Sequence, residues 1–102
     1  MQEYSVYILY SRTSDKYYVG QTSDVEKRLQ QHNDPENTSF TSKSSPWVLV
    51  CSFKTGADRG VALKVEKFIK RQKSRAFIER IIADPFQFDF IAKLVRVPST
   101  RD

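Results

Sequence analysis

From Tyr4 to Tyr10 every position except Ser5 is aromatic, β-branched or aliphatic, and no other segment constrains the fold as much. Such a run reads as a buried strand. A polar turn follows between Ser11 and Lys16, containing Ser14 and Asp15, and Tyr17–Thr22 then reads as a second strand. The two predict an antiparallel hairpin closed by a loop of about six residues.

A helix is announced directly afterwards. Ser23 and, three residues on, Glu26 fit a capping box, in which each side chain satisfies an orphan backbone N–H at the helix start. Val25 and Leu29 supply its apolar stripe, and the run Asp34, Pro35, Glu36, Asn37 ends it near Asn33. Thr38–Pro46 is rich in hydroxyls, contains Lys43 and reads as an exposed loop, and Trp47–Phe53 reads as a third strand. A second helix is expected from about Asp58 to Lys73, with Val61, Val65, Phe68 and Ile69 as its buried stripe and Lys64, Lys67 and Arg71 as a separate basic one. Ser74 caps a last helix, which buries Phe77, Ile78, Ile81 and Ile82 and is stopped by Asp84–Pro85. This order predicts an α/β (α+β) fold. Residues 1–83 form one domain, and residues 84–102 form a tail in which Phe86, Phe88 and Phe90 alternate.

At 102 residues the chain has room for one modest core. It has no apolar stretch of membrane-spanning length and no signal-peptide layout at its start. A single cysteine, Cys51, excludes an internal disulfide, and its apolar neighbours favour a buried, inert thiol. These features lead to the expectation of a soluble cytoplasmic protein. The net charge of +5 is lopsided: residues 1–36 carry four Lys/Arg against six Asp/Glu, residues 37–102 thirteen against six. A basic half of this kind suits a polyanion, most simply nucleic acid. A solvated lysine-rich helix face accounts for the charge equally well.

Five residues have a chemistry that the core does not require. Arg28 and His32 stand four apart on the first helix, so they share the face that holds Val25 and Leu29 and point towards the sheet. Tyr7 and Tyr18 lie on the paired strands, close to Gly20, whose missing side chain marks a close approach by backbone or ligand. Glu66 lies beside the apolar stripe of the second helix, where it either pairs with Lys70 one turn on or ligates a hard metal ion. Two phenols, a guanidinium, an imidazole and a carboxylate form a set able to hydrolyse phosphodiesters with one metal ion. Zinc spacing and a phosphate-cradling glycine loop are both missing, since one cysteine, one histidine and three isolated glycines are all the chain offers.

In order, Ser5-Val6-Tyr7, Tyr18-Val19-Gly20, Arg28 with His32, and Glu66 in a basic helix resemble the GIY-YIG nuclease family. The likeness is strongest to its small single-domain bacterial members, which are related to the nuclease domain of the excision-repair C subunit. It spans residues 3–82, and Phe40–Trp47 also looks like the corresponding segment of the small members. The resemblance implies a three-stranded antiparallel sheet flanked by helices. It implies Tyr7 or Tyr18 as activator of the attacking water, His32 as assistant in proton movement and Arg28 on the scissile phosphate. Glu66 would be the ligand of one divalent ion, Mg²⁺ or Mn²⁺. A tyrosine with an ordinary pKa of about 10 is a poor base near neutral pH. A nearby cation, with a histidine to take the proton onward, makes it serviceable. Lys43, Lys64, Lys67 and Arg71 would follow a DNA backbone without reading sequence.

The motif departs from the family pattern in three places. Ser5 stands for the first glycine, Gln21 follows Gly20 where some relatives have lysine, and neither Asn33 nor Asn37 fills the place of a later asparagine. With no second DNA-binding domain in the sequence, the expected activity is a structure- or damage-directed DNA endonuclease, with a protein partner supplying its targeting. The alternatives are a nucleic-acid-binding module of the same fold with little activity of its own, and a basic docking face for an acidic protein.

Overall fold

A computed structural model describes residues 2–34, 36 and 46–84. The elements follow the order β1 (Tyr4–Ser11), β2 (Lys16–Thr22), α1 (Val25–Asn33), β3 (Trp47–Gly56), α2 (Arg59–Arg71) and α3 (Arg75–Ala83). The strands form one antiparallel sheet in the order β2-β1-β3. Lys43 and the tail from residue 85 lie outside the described residues.

The central strand β1 is apolar from Val6 to Tyr10 because both of its faces are covered. Val6 and Ile8 join Val19, Ala62, Val65, Ile69 and Ile81 in a core beneath α2 and α3. Tyr7 and Leu9 face the other way, into a second cluster with Trp47, Tyr18, Val25 and Leu29 beneath α1. Period-two alternation thus sends even positions of β1 to one helical layer and odd positions to the other. Each layer removes apolar area from water at roughly 25 cal/mol per Å².

Several local expectations change. Ser11 pairs with Lys16, so the hairpin loop is the four residues from Arg12 to Asp15, shorter than the six expected. Asp15 takes a left-handed conformation at φ 52°, which lets the loop close tightly. Its carboxylate accepts hydrogen bonds from Tyr10 and from Arg75, and Arg75 also bonds to Glu79 and to the Asp15 carbonyl. The hairpin tip is thereby tied to α3.

The cap of α1 is Asp24, one residue later than the Ser23 expected; its carboxylate accepts from the Lys27 N–H at 3.0 Å. Thr22 fixes this shift, because its hydroxyl accepts from the Asp24 N–H. A carboxylate also suits the positive end of the helix dipole better than a hydroxyl. Asp58 and Ser74 cap α2 and α3, accepting from Gly60 and Phe77. On α2 the innermost residues are Ala62, Val65 and Ile69, while Val61 and Phe68 are half-buried at the flank, and the helix ends at Arg71.

β3 runs on to Gly56, beyond the expected end at Phe53. Its pairing with β1 skips Val50 and Thr55, leaving two irregularities in the ladder. At the second, the buried Thr55 hydroxyl donates to the Tyr4 carbonyl and so satisfies the disturbed backbone. Cys51 is half-buried rather than buried, and the partial burial raises the pKa of its thiol. Among the described residues no helix is long and apolar enough to cross a membrane.

Candidate active site

The α1-covered face of the sheet brings together four of the five chemically conspicuous residues. Register sets Tyr7 opposite Gly20 and Tyr18 opposite Leu9, so the two tyrosines are diagonal neighbours on one face, with ring centroids 6.2 Å apart. Gly20 makes this packing possible. A Cβ built there would stand 2.5 Å from the Tyr7 hydroxyl and 2.6 Å from its Cζ, so the phenol fills the space a side chain would need. The close approach expected at Gly20 is therefore that of a tyrosine ring.

Helical spacing presents Arg28 and His32 to the same face. His32 is buried, and its Nε2 lies 3.1 Å from the Tyr7 hydroxyl. The imidazole meets the Tyr18 ring edge-on at 4.7 Å between centroids. Trp47, at the start of β3, completes an aromatic box, 6.0 Å from Tyr18 and 6.4 Å from His32. Asn33 holds it there: its amide donates to the Trp47 carbonyl at 2.9 Å and its carbonyl accepts from the Trp47 N–H at 2.6 Å.

Burial governs the titration of this pair. It raises the Tyr7 pKa well above the ordinary value, reinforced by Tyr18 and Glu66 and opposed by the charge and hydrogen bonding of Arg28. It lowers the His32 pKa, and the neighbouring Arg28 charge lowers it further. Both groups are neutral at neutral pH. Arg28 is half-buried and lines a polar cavity of about 380 Å³ with Thr22, Ser23, Asp24, Lys27 and Gln31.

Glu66 reaches the site from α2. Its side chain is only 17% exposed and its carboxylate is paired with Lys70, Oε2 to Nζ 2.6 Å. The same ammonium lies 5.7 Å from the Tyr18 ring centroid. β2 is an edge strand, so groups from both helical layers can meet there. The helical pair foreseen as one reading of Glu66 is thus present, and it stands against Tyr18. Lys64, Lys67 and Arg71 are exposed along α2.

Lys70, Trp47 and Asn33 went unassigned in the sequence. Only Lys70 carried a signal, its position one turn beyond Glu66. The Asn33–Trp47 link joins residues fourteen apart in sequence and leaves no local pattern.

The family model described as the GIY-YIG catalytic domain matches residues 3–80. This chain belongs to the GIY-YIG family. It is 33% identical over 91 residues to the UPF0213 protein YhbQ of Escherichia coli (strain K12), covering 88% of this chain and 89% of that protein. The YhbQ of Escherichia coli O8 (strain IAI1) is 31% identical over 96 residues, 93% of this chain and 94% of the relative. A UPF0213 protein of Aeromonas salmonicida (strain A449) is 31% identical over 83 residues, 81% of this chain and 59% of the relative. No solved structure matches the chain. Membership places the chain among nuclease-type domains, whose substrate is DNA and which typically use divalent metal ions.

The GIY-YIG site here fits such an ion in a limited way. Among the described residues no three His, Cys, Asp or Glu side chains cluster as a metal cage. The donor set is one carboxylate on a mostly covered side chain, Glu66, already holding a cation. That suits a hard ion of the Mg²⁺ kind, which keeps most of its waters and takes one or two carboxylates.

Proposed function

We propose that the chain is a divalent-metal-dependent DNA endonuclease that hydrolyses phosphodiester bonds and is directed by DNA structure or damage rather than by sequence. The observation that carries this reading is the buried Tyr7 hydroxyl at 3.1 Å from His32 Nε2, with Arg28 acting on both groups. A core tyrosine needs one hydrogen-bond partner, but it does not need an imidazole whose pKa is depressed by burial and further by a guanidinium.

The raised pKa of Tyr7 keeps free phenolate scarce, so the transfer must be concerted. With its proton on Nδ1, neutral His32 accepts the Tyr7 proton at Nε2 while the phenol oxygen takes one from the attacking water. The water oxygen forms its bond to phosphorus as the bond to the leaving sugar oxygen breaks, and that oxygen takes a proton from solvent water. Arg28, with its planar fork of donors, neutralises the scissile phosphate from the polar cavity it lines. Tyr18, half-buried beside His32, orients the phosphate and the water. One bound ion, Mg²⁺ or Mn²⁺, held by Glu66, would supply further charge neutralisation at the phosphate. The exposed Lys64, Lys67 and Arg71 contribute sequence-independent attraction to the DNA backbone, as does Lys43.

The test is cleavage of plasmid and branched DNA with Mg²⁺ or Mn²⁺, run beside Tyr7→Phe, Tyr18→Phe, His32→Gln and Glu66→Ala. Cleavage by the parent chain, lost in the variants and stronger on branched than on linear duplex, is the expected result. Salt-sensitive binding without cleavage of any form would replace the enzyme by a nucleic-acid-binding module.

A further inference from the structure

Lys70 serves two groups at once. Its ammonium lies 2.6 Å from Glu66 Oε2 and 5.7 Å from the centroid of the Tyr18 ring. The Glu66 side chain is 17% exposed, so the pair lies partly sheltered against the Tyr18 face rather than free on the helix surface. An ordinary i,i+4 surface pair has neither feature: both of its side chains stand in solvent and no aromatic face takes part. Lys70 therefore occupies a seat bounded by an oxygen anion and by the negative face of a phenol. A hard cation bound at Glu66 Oε2 would need that same position.

We propose that Lys70 is the resident cation of the metal seat, which a divalent ion entering at Glu66 must displace. This rests on the metal-dependent reading above. The ammonium keeps Glu66 charge-balanced, so the site stays ordered without the metal. Leaving is easy, because Lys70 is 49% exposed. It also borders an open cavity of about 330 Å³ shared with Tyr17, Tyr18, Lys73 and Ser74. The released ammonium then stands beside Lys73 at the mouth of the site, where an anionic substrate arrives. Lys70 is in this sense a positioning residue that sets how tightly the site takes its metal.

The experiment measures Mn²⁺ binding by electron paramagnetic resonance or calorimetry, without DNA, for the parent chain and for Lys70→Met, Lys70→Arg and Glu66→Gln. Methionine keeps the stem packed over Tyr18 and removes the charge. Lys70→Met is expected to bind Mn²⁺ about fivefold more tightly, the factor that corresponds to about 1 kcal/mol. Lys70→Arg should bind no more tightly than the parent, and Glu66→Gln should lose the site. If the parent binds through Glu66 but Lys70→Met binds equally or more weakly, Lys70 does not hold the seat and the proposal falls while the metal reading stands. If no chain binds Mn²⁺, both fall together. Thermal unfolding of each variant, expected to be close to the parent's because position 70 is half-exposed, separates lost binding from lost folding.

Discussion

Tyr7 and Gly20 face each other across the β1–β2 pair, and the phenol of one occupies the volume that a side chain on the other would fill. Gly20→Ala would set a methyl 2.5 Å from the Tyr7 hydroxyl and 2.6 Å from its Cζ. The ring sits 1% exposed between Leu9, Tyr18 and Trp47 and cannot swing out to solvent without opening the cluster. The expected outcome is a loss of about 1–3 kcal/mol in stability, the usual cost of overpacking. Cleavage should fall more than stability accounts for, because the hydroxyl is pushed off His32. Denaturant unfolding and cleavage under conditions where the variant is fully folded check the two parts separately.

The buried pair sets the pH range of both folding and activity. His32 has a lowered native pKa, so the unfolded chain binds its proton first as the pH falls. The stability due to burying it neutral is therefore complete above the unfolded value of about 6.5 and is lost as the pH drops through the lowered native value. Tyr7 has a raised native pKa, so its contribution is complete below about pH 10 and is lost as the pH rises through the native value. Denaturation from pH 4 to 11 should show a plateau between these limits, with the acid limb flattened in His32→Gln. Cleavage should follow the acid limb, since protonated His32 can no longer accept from Tyr7.

Trp47 is the only tryptophan in the chain, and Asn33 fixes it through two backbone hydrogen bonds. Asn33→Ala leaves a Trp47 carbonyl and N–H without these partners, at a cost of about 1–3 kcal/mol. Trp47 then loosens from Tyr18 and His32. Its emission should shift to the red and become more quenchable by iodide, while far-ultraviolet circular dichroism stays unchanged. An unaltered emission spectrum would mean that contacts other than the Asn33 bonds hold the indole in place.

The sequence displayed the framework because its signals are local. The apolar run of β1, interrupted only at Ser5, the Ser74 cap and the stripe of α2 each follow from neighbours within four residues. Errors arose where a distant or competing group decides. Thr22 moves the α1 cap from Ser23 to Asp24, and Arg75 on α3 gives Asp15 the anchor that lets the hairpin close in four residues. At the site, the i,i+4 spacing of Arg28 and His32 and the absent side chain of Gly20 were legible. Lys70 was not, because its second contact, with Tyr18, bridges fifty-two residues and two helical layers. Its sequence position suggested only an ordinary helical pair.

Tyr7 and His32 should behave as one unit. If the phenol passes its proton to the imidazole at 3.1 Å as it takes one from water, removing either partner breaks the same transfer. Tyr7→Phe and His32→Gln are each expected to slow cleavage by about 10²–10⁴-fold at saturating DNA. The double variant should be scarcely slower than the slower single one, because groups that act together lose their effect together. DNA affinity should change little in all three, since neither side chain carries the charge that attracts the backbone. Single-turnover rates at fixed metal concentration measure the losses, and a double loss equal to the product of the single ones would show that the two residues act in separate steps.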